Sequence, residues 1–85
     1  QSLSIKKQIG DRKGEATSLN NLGATYYSLG QYQKAINYYQ QSLAIKKQLG
    51  DRTGEATSFN NLGLVYNSLG QYQKAIDFYQ QSLSI

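Results

Sequence analysis

The sequence contains no cysteine, histidine, proline, methionine or tryptophan. The lack of cysteine excludes disulfides and thiolate chemistry, and the lack of histidine removes the commonest metal ligand and general base. No apolar run approaches the roughly 20 residues of a membrane-spanning helix, and no charged-then-apolar segment opens the chain as a secretion signal would. The default expectation is therefore a soluble, cytoplasmic protein with no cofactor, no metal and no membrane partner.

Acidic residues are also few, with five Asp and Glu against nine Lys and Arg. Acid-base catalysis needs paired titratable groups in a cleft, whereas four of the five carboxylates fall in the segments between sequence units, and Asp77 stands near Lys74. The serine and threonine hydroxyls have no evident activating base. The sequence therefore indicates that the chain is not an enzyme.

The net charge of +4 could favour nucleic acid, but its placement argues otherwise. The pairs Lys6-Lys7 and Lys46-Lys47 are predicted in the last turns of helices, where cations complement the carbonyl end of the helix dipole. No nucleic-acid partner is expected.

The chain repeats itself with a period of forty residues, since QSL begins at Gln1, Gln41 and Gln81. Residues 1–40 and 41–80 differ at only nine positions. A period of this length is typical of helical repeat arrays. The expected organisation is a single array over 1–85, with 1–10 as the tail of a preceding helix, 11–50 as repeat one and 51–85 as a truncated repeat two.

Apolar spacing predicts a helical hairpin in each repeat. Leu19, Leu22, Tyr26 and Leu29 follow one another at intervals of three and four residues, which places them on one face of a helix. The predicted helices are 15–29, 31–48, 55–69 and 71–85. Gly10 is expected to close the first truncated helix, with Asp11 capping the next helix and a start between residues 12 and 16.

At LNNLGATYYSLGQYQKAINYYQQSLAI the chain resembles the tetratricopeptide repeat, in a long forty-residue form like that of Pins/LGN-type scaffolds, kinesin light chains and bacterial repeat proteins. The family positions are held by Leu19, Leu22, Gly23, Tyr26, Gly30, Ala35 and Tyr39, and again by Phe59, Leu62, Gly63, Tyr66, Gly70, Ala75 and Tyr79. Ser42 and Ser82 stand where a small Ala is usual, and Lys47 where a Pro often ends the repeat. The resemblance implies an all-α, right-handed solenoid of antiparallel helix pairs that serves as a protein-binding scaffold.

Opposite the apolar stripe lies a polar but uncharged surface, called here the first-helix face. Its residues are Thr17, Asn20, Asn21, Ala24 and Tyr27 in repeat one, and Thr57, Asn60, Asn61, Leu64 and Asn67 in repeat two. Asn is a poor helix former, so two adjacent Asn residues within the first helix of both repeats indicate a role other than helix formation. They could hydrogen-bond to the next repeat and hold the stack in register, or they could grip the main chain of an extended peptide.

In families that it resembles, Asn in this setting lines a concave groove and binds ligand main chain, which implies that role first for Asn21 and Asn61, then for Asn20 and Asn60. Repeat two has Leu64 in place of Ala24 and Asn67 in place of Tyr27, so the two parts of the groove would recognise different ligand side chains. The face has no Lys or Arg, so ligands bound through a terminal carboxylate are poor candidates.

Self-association is the alternative to peptide binding. Near-identical units have near-identical faces, and the chain begins and ends in QSLSI. Copies could therefore stack end to end or swap helices without any peptide ligand.

Overall fold

The computed structural model describes residues 2–85, with side chains described from residue 10 onward, and this part of the chain is helical with short turns. Its helices are α1 Ser2–Ser28, α2 Tyr32–Leu49, α3 Arg52–Ser68 and α4 Tyr72–Leu83. Helices α1 and α2 form one hairpin, α3 and α4 form a second, and α2 packs against α3. The all-α class expected from the sequence is confirmed. Within the described residues, none of these helices has both the length and the hydropathy to cross a membrane.

The turn inside each hairpin is set by a glycine in the left-handed conformation. Gly30 has φ 76° and Gly70 has φ 77°, values at which a side chain would be strained. The Gly30 N–H donates to the carbonyl of Tyr27 at 3.0 Å, and the Gln31 N–H donates to that of Tyr26 at 2.9 Å. This pair of bonds is a Schellman motif, which satisfies the last carbonyls of the helix. The predicted turns at both glycines are confirmed.

The two junctions that precede the hairpins differ, although their sequences are nearly identical. At the second, Gly50 has φ 68° and ends α2, and the Asp51 carboxylate accepts a hydrogen bond from the Gly54 N–H at 2.9 Å and caps α3. At the first, α1 continues as a helix through Gly10 and Asp11. The prediction that Gly10 ends a helix and that Asp11 caps the next one is therefore wrong.

Packing explains this difference. The turn at Gly50 lets α3 bury Phe59, Leu62 and Val65 in a core shared with α2. Only residues 2–9 precede Gly10 in the described chain, against the 18 residues of α2 before Gly50, so a turn at Gly10 would bring fewer residues into contact, while continuing the helix adds a backbone hydrogen bond per residue. The continuous helix also places Lys6 and Lys7 near the start of α1 rather than in a last turn, so their predicted position is wrong. Lys46 and Lys47 do lie in the last turn of α2.

Within each hairpin, a glycine and a serine bring the helices together. A Cβ on Gly23 would lie 2.7 Å from the Tyr39 ring, and one on Gly63 would lie equally close to Tyr79. The expectation that these mid-helix glycines mark a close approach is confirmed. The Ser42 hydroxyl donates to the carbonyl of Ala16 at 2.9 Å, and Ser82 does the same to Ala56. The serines that depart from the family pattern thus tie the helices of each hairpin together.

The core runs between the hairpins as well as inside them. Its buried residues are Ala35, Ile36, Tyr39 and Leu43 on α2 and Phe59, Leu62 and Val65 on α3. Tyrosines extend this packing: Tyr26 stacks on Tyr38 with 5.4 Å between ring centroids, and Tyr66 stacks on Phe78 at the same separation. The hairpins therefore share one continuous core, and these aromatic rings are engaged in packing.

Candidate functional site

The first-helix face is divided between α1 and α3, which two side-chain hydrogen bonds connect. The Asn61 Nδ2 donates to the Asn20 Oδ1 at 3.0 Å, and the hydroxyls of Tyr27 and Ser68 lie 2.7 Å apart. Both bonds join residues of different repeats. The first helices of the two hairpins are thus neighbours, and their faces form one surface.

The bond between Asn20 and Asn61 gives these two residues a structural role. Both side chains are half-buried, and a buried amide without a partner would be unfavourable. Sliding one hairpin past the other would separate the two amides. This geometry matches the alternative in which the Asn residues hold the repeats in register.

Asn21 and Asn60, the other members of each Asn pair, are exposed. Among the side chains that the structure describes, neither amide has a hydrogen-bond partner. Each therefore keeps its donor and acceptor available to a ligand. Repeated residues at equivalent positions consequently have different environments, because the hairpin of α1 and α2 lies beside Asn61 and no described hairpin lies on the corresponding side of Asn21.

Tyr27 lies between the hairpins. Its ring packs on Tyr32 with centroids 5.4 Å apart, and its hydroxyl is bonded to Ser68. Asn67, at the equivalent position of repeat two, is exposed. The face is therefore more open on α3 than on α1.

Threonines and apolar residues complete the face. The hydroxyls of Thr17 and Thr57 each donate to the carbonyl four residues earlier at 3.1 Å, so both are occupied within their own helices. Ala24 is exposed, and Leu64 is exposed over 42% of its surface. Leu64 lies between Asn60 and Asn67 along α3, about one helical turn from each.

Sequence reasoning missed Ser68, Ser42 and Ser82 as bonding partners. Ser42 and Ser82 could have been suspected, because a hydroxyl replaces a small apolar residue at a position expected to be buried. Ser68 gave no signal, since Ser28 stands at the equivalent position and only the arrangement of hairpins distinguishes them.

Charged side chains lie beside the first-helix face rather than on it. A cavity of about 470 Å³ near the α2–α3 junction is lined by Lys13, Lys46 and Asp51, together with Ala16, Leu49 and Thr17 of the first-helix face. No group of three or more Asp and Glu residues in the described chain could hold a metal ion. The first-helix face is thus a surface for neutral hydrogen bonding and apolar contact.

The comparisons with known proteins agree with this architecture. The tetratricopeptide repeat model matches residues 1–48 and again residues 15–85, and together these matches cover the whole chain. A search of curated proteins returned no match. Paired helices, glycine turns and a core shared between hairpins are also what the family's helical-hairpin solenoid requires. The chain belongs to the tetratricopeptide repeat family, whose members generally mediate protein-protein interactions and are typically non-enzymatic.

Proposed function

We propose that the chain is a protein-interaction scaffold that holds an extended peptide along the first-helix face, on the concave side of the solenoid. Residues 1–85 act as a single array, with sequence units 11–50 and 51–85 following the tail 1–10. The proposal includes the cytoplasm as the compartment and assigns the chain no catalytic role. The observation that supports it best is the exposed row of Asn60, Leu64 and Asn67 on α3.

The spacing of that row suits an extended chain. Asn60 and Asn67 are seven residues apart, or about 10.5 Å along the helix. An extended peptide rises about 3.3 Å per residue, so this distance corresponds to roughly three residues. The two amides would exchange hydrogen bonds with peptide groups three residues apart, and Leu64 would contact an apolar side chain between them.

The Asn residues have different parts in the proposal. Asn21 and Asn60 would bind ligand main chain directly, because both are exposed. Asn61 and Asn20 are bonded to each other, so they would act chiefly by fixing the distance between α1 and α3. Thr17, Thr57 and Ala24 would border the peptide.

The ligand would be an uncharged, partly apolar segment. None of the residues of the first-helix face is ionisable except Tyr27, whose hydroxyl is bonded to Ser68. A carboxylate or phosphate would have no cationic partner there, which also disfavours nucleic acid.

The test is a display selection from a random peptide library, using immobilised chain at a dilution that keeps it monomeric. The parent should enrich peptides with an apolar residue at a fixed place, and the Asn60→Ala/Asn67→Ala variant should lose them. Asn37→Ala is the matched control, because Asn37 is an exposed Asn on the second helix of its hairpin. All three chains are first compared for equal helicity by circular dichroism.

Failure to enrich any motif would overturn the peptide-binding proposal. So would a motif that both folded variants retain, since binding would then occur elsewhere. A Leu64→Glu variant sharpens the result, because it should select peptides with a basic residue at the place where the parent selects an apolar one.

Self-association through the ends of the array is a second candidate function. It is favoured by the large apolar side chains that α4 exposes, among them Ile76 and Leu83. This function would use the outer faces of α1 and α4 rather than Leu64 and Asn67.

A further inference from the structure

We propose that a second copy of this chain docks on the first, end to end, by repeating the interface that joins α2 to α3 within the chain. The outer face of α4 would take the place of α2, and the outer face of α1 in the second copy would take the place of α3. This inference deepens self-association, the second candidate function, and does not depend on peptide binding.

The internal repeat reveals what each outer face would contact. Helix α3 packs extensively against both α2 and α4, whereas its equivalent, α1, packs extensively against α2 among the described helices. Leu62 on α3 is fully buried, and its counterpart Leu22 on α1 is 41% exposed. Ser58 is buried, and its counterpart Ser18 is exposed. These differences mark the part of α1 that no described hairpin covers.

The same comparison defines the complementary face on α4. Helix α2 packs against α1 and α3, whereas α4 packs extensively only against α3. Ile36 on α2 is 3% exposed and its counterpart Ile76 is 46% exposed. Leu43 is 8% exposed and its counterpart Leu83 is 86% exposed. The apolar side chains that α2 buries against α3 are thus present on α4 without a cover.

Polar contacts at the internal interface point to the same occupant. The bond between Asn20 and Asn61 joins residues 41 apart, one more than the repeat period. One period after Asn20 is Asn60, and its expected partner is the residue that corresponds to Asn61 in the next repeat. In end-to-end docking the next repeat is repeat one of the second copy, so that partner is its Asn21. Asn60 and Asn21 are the exposed members of the two Asn pairs, and neither has a described partner. A head-to-tail copy would satisfy both.

The α1 face differs from its internal counterpart at one informative position. Thr25 replaces the buried Val65, so the face is more polar than the one on α3. The Thr25 hydroxyl already donates to the carbonyl of Asn21 at 3.0 Å, so it could be buried without losing its partner. The copy-to-copy interface should consequently resemble the internal one and be weaker.

The two faces are different surfaces, so the association is head-to-tail rather than two-fold symmetric. Each copy has one face of each kind, and blocking either face on one copy leaves the other free. This property allows a test that separates head-to-tail docking from any other self-association.

The test compares Leu22→Lys, which blocks the α1 face, with Ile76→Lys, which blocks the α4 face. Mass is measured by sedimentation velocity over a roughly thousandfold concentration range. The parent should grow in mass with concentration, and each variant alone should remain a monomer. An equimolar mixture of the two should form a one-to-one dimer and nothing larger, because one intact face of each kind remains.

Matched controls change the charge where the internal interface has no contact. Gln73 is exposed on α4, as is its counterpart Gln33 on α2. Lys13 is exposed on α1, as is its counterpart Thr53 on α3. Gln73→Lys and Lys13→Glu should therefore associate like the parent. Circular dichroism verifies the fold of each variant, and Leu83→Lys replaces Ile76→Lys if the latter unfolds.

A parent that stays monomeric throughout would overturn self-association as a whole. If the parent associates and either blocked variant still associates alone, self-association stands but the head-to-tail interface is wrong. A mixture of blocked variants that stays monomeric while the parent associates would also contradict it.

Discussion

The segments GDRKGE at residues 10–15 and GDRTGE at residues 50–55 differ by one residue and have different backbones. The first is part of the continuous helix α1, and the second is a left-handed turn followed by a capped helix start. The single difference, Lys13 against Thr53, does not account for this, because both residues are exposed and helical. What differs is the described helix that precedes each junction, which is the 18-residue α2 at the second and only residues 2–9 at the first.

The same six-residue segment can therefore form a turn but does not require one. Its glycine can adopt positive φ and its aspartate can cap a helix, but both properties matter only when burial favours the turn. At the second junction a Cβ on Gly54 would collide with the Asp51 carboxylate and would lie 2.6 Å from Lys46. At the first, a Cβ on Gly14 would meet nothing within 4 Å.

The largest expected effect comes from the difference in burial between Leu62 on α3 and Leu22 on α1. Leu62→Ala should lower the free energy of unfolding by about 2–5 kcal/mol, because Leu62 lies in the core shared by the hairpins. Leu22→Ala, at the equivalent exposed position, should lower it by less than about 1 kcal/mol. Urea denaturation at a concentration where the chain is monomeric measures both. Equal losses would show that the two first helices are equally covered, contrary to the structure.

The next effect would distinguish the junctions directly. Gly50→Ala should destabilise the chain by about 1–2 kcal/mol, because Ala is strained at φ 68°. Gly10→Ala should instead stabilise it by about 0.5–1 kcal/mol, since Gly10 is helical with open space around it. Thermal unfolding gives both signs. A loss of stability in Gly10→Ala similar to that in Gly50→Ala would mean that the first junction is also a turn.

The smallest effect concerns Tyr39, which is buried in the core shared by the hairpins. Burial raises the pKa of the Tyr39 hydroxyl above its usual 10.0, and the nearby Tyr27 raises it further. The folded chain thus holds this proton to higher pH than the unfolded chain. The stabilisation is complete below about pH 10 and is lost as the pH rises through the folded-state pKa.

Tyr39→Phe should therefore flatten the alkaline decline in stability. Urea midpoints of parent and variant are compared at neutral pH and at several values above pH 10. The difference between the two chains should change in favour of the variant as the pH rises. A constant difference across this range would contradict the assignment to Tyr39.

Much of the fold follows from local sequence. Apolar residues three and four apart define the helices, and Gly30 and Gly70 define turns whose geometry depends on neighbouring atoms alone. Mid-helix Gly23 predicts the close approach that Tyr39 makes. These features could be predicted because each depends on one hairpin.

Features that depend on the presence of a neighbouring hairpin could not be predicted. The local sequence is nearly the same around Gly10 and Gly50, but Gly10 is helical and Gly50 forms a turn. Likewise, Asn21 is exposed and its counterpart Asn61 is half-buried. For the candidate site, the polar face could be predicted from the sequence. The hydrogen bond between Asn20 and Asn61 could not, because it depends on how the two hairpins are offset. A periodic sequence cannot by itself indicate which of its identical residues have neighbours.

In the part of the chain that the structure describes, extensive packing joins only helices that are consecutive in sequence: α1 with α2, α2 with α3, and α3 with α4. Contacts of this kind close short loops, and chains dominated by them fold quickly. The inner helices each have two packing partners and the outer helices have one, so local opening should begin at α1 and α4. The molecule can therefore release and recover an outer helix while α2 and α3 remain folded.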